Sequence, residues 1–320
     1  MLTSLQIKNF RGFKALRLES LKRVNIVVGQ NNTGKTGLLE ALALLLQDPS
    51  KPVGDLPNLF RTAGGDSMEN FWKWTYYNKD VKHAVEIRAS GDALPEFGIW
   101  LTMENSNEVR PGDVCGPGTR LGYMQLSPVG HRPTVPLKPS IFSTHPTNPR
   151  QDAVDYNRVV LRRKKKDVEA LLKKIEPRLE AIESLQTGSE PLLYADVGLS
   201  EMLPVTQMGQ GFNRLLDIYS ELVAAEAKVL LIDEVENGLH HSALPTIWRG
   251  LLHAAKDADV QIFATTHSLE CIRAAHEVFS QEPEYDLSVI QLFRVPTGIE
   301  GRVLDRKHIE AAMAGEIDLR

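Results

Sequence analysis

One stretch of this sequence has residue types and spacing suited to holding phosphate. Residues 29–36 read GQNNTGKT and match the pattern GxxxxGK[ST] in full. In such a loop, backbone N–H groups and the start of a helix bind phosphate oxygens, and glycine permits the close backbone approach. We expect Lys35 to reach the β- and γ-phosphates and Thr36 to ligate Mg²⁺. The predicted nucleotide-binding residues here are Gly29, Asn31, Asn32, Thr33, Gly34, Lys35, Thr36 and Gly37.

Two acidic residues follow a second apolar run, at 229–232. A carboxylate at Asp233 could hold Mg²⁺, and Glu234 could orient or deprotonate an attacking water. An isolated Asp-Glu pair after a strand is usually part of a solvated turn. Because this pair occurs together with the phosphate loop, we predict Asp233 as a metal ligand and Glu234 as a catalytic residue.

A histidine follows the next apolar run, at 260–265. Parallel strands end at the same edge of a sheet, which is where ligands bind. We therefore expect His267 to lie beside the same phosphates and to hydrogen-bond the γ-phosphate, as a third catalytic residue with Lys35 and Glu234.

A second glycine-bearing helix start occurs at residues 206–216, TQMGQGFNRLL. The first free N–H groups of a helix form an anion site. Gly209, Gln210 and Gly211 are therefore predicted to contact phosphate, although the chain already has a stronger phosphate site. No serine precedes these glycines, because Gln207 and Met208 occupy those positions.

Buried strands that alternate with helices are needed to bring these residues together. Apolar runs at 24–28, 228–233 and 260–265 predict strands buried on both faces. Helices are predicted at 37–46, 215–227, 243–256 and 269–280. Such alternation indicates a parallel sheet with crossover helices.

The remaining segments predict an antiparallel unit and an insertion. A hairpin at 2–18 and strands at 81–88, 97–103 and 121–126 form the predicted antiparallel unit. A proline-rich loop is predicted at 127–150, and the charge-rich stretch 152–185 has apolar positions on one helical face. Together they make an insertion at 127–190. After His267, one strand at 289–295 and a short terminal helix are predicted.

Composition excludes several classes of protein. The 320 residues carry a net charge of -4, so no global basic field indicates nucleic-acid binding. The two cysteines match no disulfide or metal spacing. The N-terminus is no signal peptide, and no apolar run reaches the roughly 18 residues of a membrane helix. We therefore expect a cytoplasmic protein without a membrane partner.

The order of these motifs resembles that of ABC-type ATPases. The segments LQIKNFRGF (5–13) and DEVENGLHH (233–241) resemble the RecF/SMC branch, and more closely the ATPase part of the overcoming-lysogenisation-defect (OLD) nucleases. KKIEPRLEAIESL (173–185) is similar to that group as well. The resemblance covers most of the chain. It implies an α/β fold in which residues 1–320 form a single ABC-type head, with a mixed sheet, an antiparallel β subdomain and the helical insertion.

The resemblance also implies a nucleotide-dependent homodimer. In such ATPases the glycine-pair signature of one subunit covers the ATP held by the other, so this pair would be of little use to its own chain. Residues 236–240 would be the D-loop at that interface, and Arg11 is a further candidate nucleotide contact. The cofactors implied are ATP and Mg²⁺. Without the signature serine, hydrolysis is expected to be slow. Gln125 and Gln151 remain alternative candidates for the Q-loop glutamine.

The resemblance leaves the biological role open between alternatives. OLD nucleases carry a Toprim domain with an Asp-x-Asp pair, whereas the Asp-x-Asp here, at 257–259, precedes a strand and is better interpreted as a loop. We therefore expect an ATPase that regulates a separate nuclease or toxin effector in anti-phage defence, as a dimer or a larger assembly. The alternatives are a stand-alone RecF-like DNA repair ATPase and a slow, nucleotide-locked scaffold. The FRGF start and the absence of an LSGGQ-type signature argue against a transporter ATPase.

The basic run RRKKK, at 162–166, has two interpretations. Such a run usually marks a solvated helix face. Its position in the insertion also suits contact with DNA or a partner, so nucleic acid remains a candidate partner.

Overall fold

The fold is described here from a computed structural model of the chain. The described residues are 1–47, 72–92, 94–104, 123–130, 137–143, 148–186, 188, 190–224 and 227–315. Within these ranges, no helix is long and apolar enough to cross a membrane.

A six-stranded mixed sheet forms the centre of the molecule, with strand order β14-β13-β3-β12-β11-β7. Strands β13, β3, β12, β11 and β7 pair in parallel, and β14 pairs antiparallel with β13. The strands are β3 (Val24–Val28), β7 (Pro139–Phe142), β11 (Val229–Ile232), β12 (Gln261–Thr265), β13 (Leu287–Val295) and β14 (Gly298–Leu304). Since β3, β11 and β12 are parallel, the three segments predicted to carry chemistry end at one edge.

Helices cover one face of this sheet. They are α4 (Gln210–Ala224), α5 (Leu244–Ala258), α6 (Leu269–Ser280) and α7 (Arg306–Met313). Alternate strand side chains, such as Leu230 and Ile232 of β11, pack with these helices, whereas Val229 and Leu231 belong to the core on the other side. The strands are therefore apolar throughout because both faces are covered.

Helix α1 (Lys35–Leu46) lies between this sheet and a second one. Every residue of α1 except Thr36 is buried, as expected of a helix that is apolar all round. The second sheet is antiparallel, with order β2-β1-β4-β5-β6. Its strands are β1 (Leu2–Phe10), β2 (Phe13–Glu19), β4 (Val85–Gly91), β5 (Leu94–Glu104) and β6 (Tyr123–Gly130).

The insertion is more broken than the sequence predicts. The stretch 152–185 contains helices α2 (Pro149–Leu161) and α3 (Lys165–Lys173) and a strand, β8 (Ala181–Leu185). Arg163 is left-handed, with φ of 60°, and separates the helices, while Pro177 disfavours helix in the residue before it. Strand β8 joins a small sheet with β9 (Leu192–Asp196) and β10 (Leu203–Pro204).

Three details of the predicted secondary structure were wrong. Part of the proline-rich segment 127–150 is strand, because β7 extends the parallel sheet beside β11. Helix α4 begins at Gln210 rather than residue 215. Strand β14 follows β13, where no second strand was expected. The predicted α/β class, with its mixed sheet, antiparallel β unit and helical insertion, is confirmed.

Candidate functional site

The phosphate loop joins β3 to α1. Gly29 and Gly34 have positive φ, at 145° and 86°, and a Cβ at Gly29 would overlap the Leu292 carbonyl oxygen of β13. Glycine is required there, since an L side chain would be strained and would collide. The Lys35 ammonium donates to the carbonyl oxygens of Gly29 and Gln30 at 2.8 and 3.0 Å. The side chain therefore curls back over its own loop, where a phosphate chain would lie.

Two further residues brace this loop. Thr33 Oγ1 donates to the Gln30 carbonyl oxygen at 2.8 Å, and Arg294 of β13 donates to the carbonyl oxygen of Asn32 at 2.8 Å. Asn32 is itself left-handed, with φ of 61°. Arg294 was not predicted from the sequence, because nothing local to residues 290–295 reveals that β13 lies beside the loop. Asn31 lines a cavity next to this loop.

Burial changes the acid–base properties of Lys35. Desolvation lowers the pKa of its ammonium group, and the nearby carboxylates of Asp233, Glu234 and Glu236 oppose that decrease. Lys35 is 7% exposed. A buried ammonium group interacts more strongly with a phosphate than an exposed one, because few water molecules screen it.

Thr36 and Asp233 are brought together as expected for a shared Mg²⁺ ion. Thr36 Oγ1 lies 3.2 and 3.4 Å from the two carboxylate oxygens of Asp233. Hydroxyl and carboxylate oxygens are the ligands that Mg²⁺ prefers, usually alongside phosphate oxygens. This pair therefore fits the ion, which would neutralise charge on a bound phosphate.

Thr265 orders the acidic end of β11. It is fully buried at the end of β12, and its hydroxyl donates to Asp233 Oδ1 at 2.6 Å. The same hydroxyl accepts the backbone N–H of Glu234 at 2.8 Å. Glu234 has a left-handed φ of 50°, an unfavourable conformation that clusters at functional sites. One hydroxyl thus fixes both acidic residues, a role that the sequence suggested only by a threonine at a strand end.

His267 lies at the neighbouring strand end, as predicted. Together with Gly29, Asn31 and Thr266 it lines a cavity of about 230 Å³. Its backbone N–H donates to Glu236 Oε1 at 2.9 Å. Glu236 belongs to the predicted D-loop, so that segment and the His267 loop are directly joined.

Arg214 reaches the same strand ends from helix α4. Its guanidinium donates to the carbonyl oxygens of Ser143 and Asp233. Burial lowers its pKa, and the carboxylates of Asp233, Glu234 and Glu236 oppose that decrease. Nothing in the sequence indicates this role, because a single arginine in an amphipathic helix is ordinarily exposed. Arg214 ties the glycine-bearing helix to the acidic end of β11.

The glycine pair has two different environments. A Cβ at Gly211 would overlap the carbonyl oxygen of Gly238 in the predicted D-loop, whereas a Cβ at Gly209 would meet nothing within 4 Å. The expectation that this pair is of little use to its own chain is therefore wrong for Gly211, which packs backbone to backbone against Gly238. Gly209, with Gln210 exposed beside it, faces open space at the start of α4.

Arg11 lies against the first turns of α1. Its Nε donates to Glu40 Oε2 at 2.8 Å, and its Cβ is 3.7 Å from the position of a Cβ on Gly37. Arg11 and Gly37 therefore lie together beside the first turn of α1.

Other candidates lie elsewhere or remain undecided. The side chain of Gln151 is exposed and donates to Asp155 on its own helix; the side chain of Gln125 lies outside the described residues. The loop interpretation of the Asp-x-Asp pair is wrong for its first two residues, because Asp257 and Ala258 end helix α5; Asp259 follows as the C-cap, with a φ of 52°, and pairs with Arg23 at 3.2 Å.

The basic run at 162–166 occupies the turn between α2 and α3 and the start of α3, not a continuous helix face. Arg162 donates to the carbonyl oxygen of Ala224 at the end of α4. Lys164 pairs with Asp167 at 3.1 Å, and Lys165 pairs with Glu183 at 2.5 Å. Three of its side chains thus have intramolecular partners.

Two family models match the chain. Residues 125–273 match the model described as "AAA domain, putative AbiEii toxin, Type IV TA system", and residues 1–108 match an "AAA ATPase domain". An "ATP/GTP phosphatase" of Helicobacter pylori is 23% identical over 332 residues, which cover 88% of this chain and 89% of the relative. The "DNA replication and repair protein RecF" of Idiomarina loihiensis is 28% identical over 112 residues, covering 35% of this chain and 28% of that protein.

Solved structures share the fold at low identity. An SMC head bound to the C-winged helix domain of ScpA aligns with a TM-score of 0.61 and 12% identity, covering 98% of this chain and 99% of the other. An SMC head with an extended coiled coil, bound to a ScpA C-terminal domain from Pyrococcus furiosus, gives 0.59 and 11%, covering 98% of each chain.

Proposed function

We propose that this chain is an ABC-type ATPase of the RecF- and SMC-like kind, as its similarities support. It binds Mg²⁺–ATP at the edge where β3, β11 and β12 end, and hydrolyses it. Lys35 binds the β- and γ-phosphates, and Thr36 and Asp233 hold Mg²⁺, which neutralises charge on the phosphates. Glu234 orients the attacking water and accepts its proton. His267 donates a hydrogen bond to the γ-phosphate.

The observation that carries this proposal is the meeting of five groups from three separate segments. The Lys35 ammonium, the Thr36 hydroxyl and the Asp233 carboxylate surround the start of α1, and Glu234 is held beside them by Thr265. A role in folding alone does not explain why Glu234 adopts an unfavourable left-handed conformation beside a buried lysine at the start of the phosphate-loop helix. The name of the Helicobacter pylori relative also supports nucleotide hydrolysis.

The proposal includes a head-to-tail dimer with two nucleotides at a two-fold interface. Gly209 of one chain contacts the γ-phosphate held by the other. The exposure of Gly209 supports this role, and a Cβ placed there would meet no atom within 4 Å. We also propose that residues 1–320 act as one head, with 127–190 as its insertion.

The mass of the Glu234→Gln variant in solution, measured by light scattering, tests the dimer. This variant retains the binding groups but cannot accept the proton, so Mg²⁺–ATP converts it from monomer to dimer, whereas ADP does not. Glu284→Gln, an exposed change in the loop between α6 and β13, is the matched control and hydrolyses ATP like the wild type. A Glu234→Gln protein that stays monomeric in saturating ATP contradicts the dimer. A larger assembly without nucleotide indicates the scaffold alternative.

We extend the proposal to the control of a separate nuclease or toxin in anti-phage defence. Its support is the OLD-like motifs and the toxin-related description of the family model matched by residues 125–273. Capture of partners from infected cells with Glu234→Gln, and with Lys35→Ala as the nucleotide-free control, tests this role. The proposed role in defence is contradicted if Glu234→Gln enriches no nuclease or toxin relative to Lys35→Ala.

A stand-alone DNA repair ATPase is the second candidate, favoured by the similarity to RecF over about a third of the chain. Its distinguishing property is hydrolysis stimulated by DNA without any partner. Steady-state phosphate release from the purified protein, with and without duplex DNA, separates the two roles.

A further inference from the structure

Strand β13 continues beyond the end of its neighbour β3 and runs alongside the phosphate loop. The last pair in their register joins Gln291 to Val28, which is also the last residue of β3. Residues 292–295 of β13 extend further, beside the loop that leaves β3 at Gly29. The register of these two strands thus determines which residues of β13 can support the loop.

The hairpin formed by β13 and β14 contacts both ends of the loop. At its start, a Cβ on Gly29 would overlap the carbonyl oxygen of Leu292 in β13. At its end, a Cβ on Gly34 would lie 3.3 Å from Cδ1 of Ile299 in β14. Neither strand carries a predicted nucleotide-binding residue, yet both pack directly against the loop.

Arg294 contacts the middle of the loop. Its guanidinium donates to the Asn32 carbonyl oxygen at 2.8 Å, from a position 262 residues later in the sequence. Asn32 is left-handed, with φ of 61°, and such a conformation costs free energy for residues other than glycine, although asparagine tolerates it better than most. A bond from outside the loop therefore stabilises the part of the loop whose backbone is least favourable.

The hairpin is itself held in place. Its strands pair from Val289 with Leu304 to Val295 with Gly298. At the turn, the Tyr77 hydroxyl donates to the Thr297 carbonyl oxygen at 3.2 Å. A support fixed by its own contacts can hold the loop in one conformation before any ligand binds.

We propose that Arg294 is a positioning residue, which keeps the phosphate loop in the conformation that binds nucleotide. This inference rests on the proposed nucleotide site, and it gives Arg294 no contact with the nucleotide itself. When only a fraction of the protein is competent to bind, every ligand of the competent conformation loses affinity by that same fraction. Removal of Arg294 therefore weakens ATP and ADP binding by one common factor, since the loop holds phosphates that both nucleotides carry.

The variant Arg294→Ala tests this role in the full chain. The Kd of Mg²⁺–ADP, measured by calorimetry, and the KM for ATP both rise about 3- to 10-fold, the factor that one hydrogen bond contributes to an equilibrium constant. The kcat stays within about twofold of the wild type, because at saturation the nucleotide itself orders the loop. Arg302→Ala is the matched control and changes none of these values: Arg302 is exposed on the same hairpin, and its Nε donates to Gln291 Oε1 at 2.8 Å.

Two further measurements separate positioning from the loss of a positive charge. An effect of charge alone is screened between about 0.05 and 0.5 M salt, whereas the common factor for ADP and ATP persists. Hydrogen exchange without nucleotide reports on the loop directly. The Thr33 N–H, which donates to the Gln30 carbonyl oxygen at 3.3 Å, exchanges faster in Arg294→Ala, while the midpoint of thermal unfolding is unchanged.

Several results overturn the positioning role while leaving the proposed ATPase site intact. Unchanged ADP affinity with a raised KM for ATP means that Arg294 contacts the terminal phosphate instead. Unchanged values for both nucleotides, a factor that disappears at high salt, or an equal loss in Arg302→Ala also refute it. If the wild type binds neither ADP nor ATP, the proposed function itself fails.

Discussion

At the scale of single residues, a buried hydroxyl controls the acidic end of β11. Thr265 donates to Asp233 and accepts from the Glu234 backbone, so its removal affects a metal ligand and a catalytic candidate together. Threonine and valine have the same shape. The change Thr265→Val therefore isolates the hydroxyl from packing.

We expect Thr265→Val to lower the free energy of unfolding by about 1–3 kcal/mol, since a buried carboxylate and a buried N–H each lose a partner. ATP hydrolysis should fall more than ATP binding, because Glu234 is no longer held in its left-handed conformation. Urea unfolding and single-turnover hydrolysis measure the two effects. Thr265→Ser, which retains the hydroxyl, should restore most of the hydrolysis; a Ser variant as slow as the Val variant would refute the role of the hydroxyl.

Lys35 provides the test of phosphate binding. Lys35→Ala removes the ammonium group that lies over the loop carbonyls, and nucleotide binding should be abolished. A ligand at 100 times its Kd stabilises a folded protein by about 2.7 kcal/mol. Thermal unfolding with Mg²⁺–ATP should show this stabilisation in the wild type and in Lys14→Ala, an exposed control on β2, but not in Lys35→Ala. Equal stabilisation of all three proteins would place ATP elsewhere.

At the scale of elements, helix α4 is joined to the D-loop through Gly211 and to the end of β11 through Arg214. The two glycines at its start can be tested as a pair. Gly211→Ala should cost about 1–3 kcal/mol of stability, because the new Cβ overlaps the Gly238 carbonyl oxygen. Gly209→Ala should leave stability unchanged or slightly higher, since its Cβ meets open space.

The distinguishing measurement for this pair is the ATP-dependent mass in the Glu234→Gln background. Gly209→Ala should weaken dimer formation despite normal stability, because its new methyl lies where the proposed dimer brings the partner's phosphate. Gly188→Ala, at another glycine with open space, is the control. Normal dimerisation by the Gly209 variant would remove Gly209 from the interface.

One side chain of β12 connects the first strand to the central sheet. Gln261 is 1% exposed; its Oε1 accepts the Leu2 N–H at 2.9 Å, and its Nε2 donates to the carbonyl oxygens of Leu2 and Lys22, both at 2.8 Å. It thereby ties the antiparallel sheet to the parallel sheet. Gln261→Met keeps the volume but removes these bonds, and should cost about 1–3 kcal/mol in urea unfolding. Hydrogen exchange at the Leu2 amide should rise as well; an unaffected amide would show that β1 is held by its strand partners alone.

At the scale of the whole molecule, the basic run at 162–166 belongs to the folded insertion, and three of its five side chains have intramolecular partners. Arg163 and Lys166 form no ion pair within the described part of the chain. We expect Arg163→Glu with Lys166→Glu to leave hydrolysis and duplex DNA affinity within twofold of the wild type. If the slope of log DNA affinity against log salt concentration instead becomes shallower by about 1.8, which corresponds to two phosphate contacts, these residues bind DNA.

The sequence by itself determined the α/β class, the phosphate loop and the acidic strand end. These follow from local signals: both-face burial of short apolar runs, and residue types at fixed spacing in one turn. Helix α6 was predicted with its observed bounds, 269–280, because its serine cap and its apolar period lie in one segment. The sequence did not determine β7 or β14, since an edge strand is stabilised mainly by pairing with a neighbour far along the chain.

Only the tertiary structure decided which residues support the site. Thr265, Arg214 and Arg294 act on groups that are at least 19 residues away along the chain, and no local pattern distinguishes them from ordinary polar side chains. The tertiary structure also separated the two glycines, since Gly211 is required by its contact with Gly238 and Gly209 is not. The physical reason is the same in each case. A sequence motif reflects the local backbone conformation and chemistry of one segment, whereas a contact between distant segments depends on how the sheet brings them together.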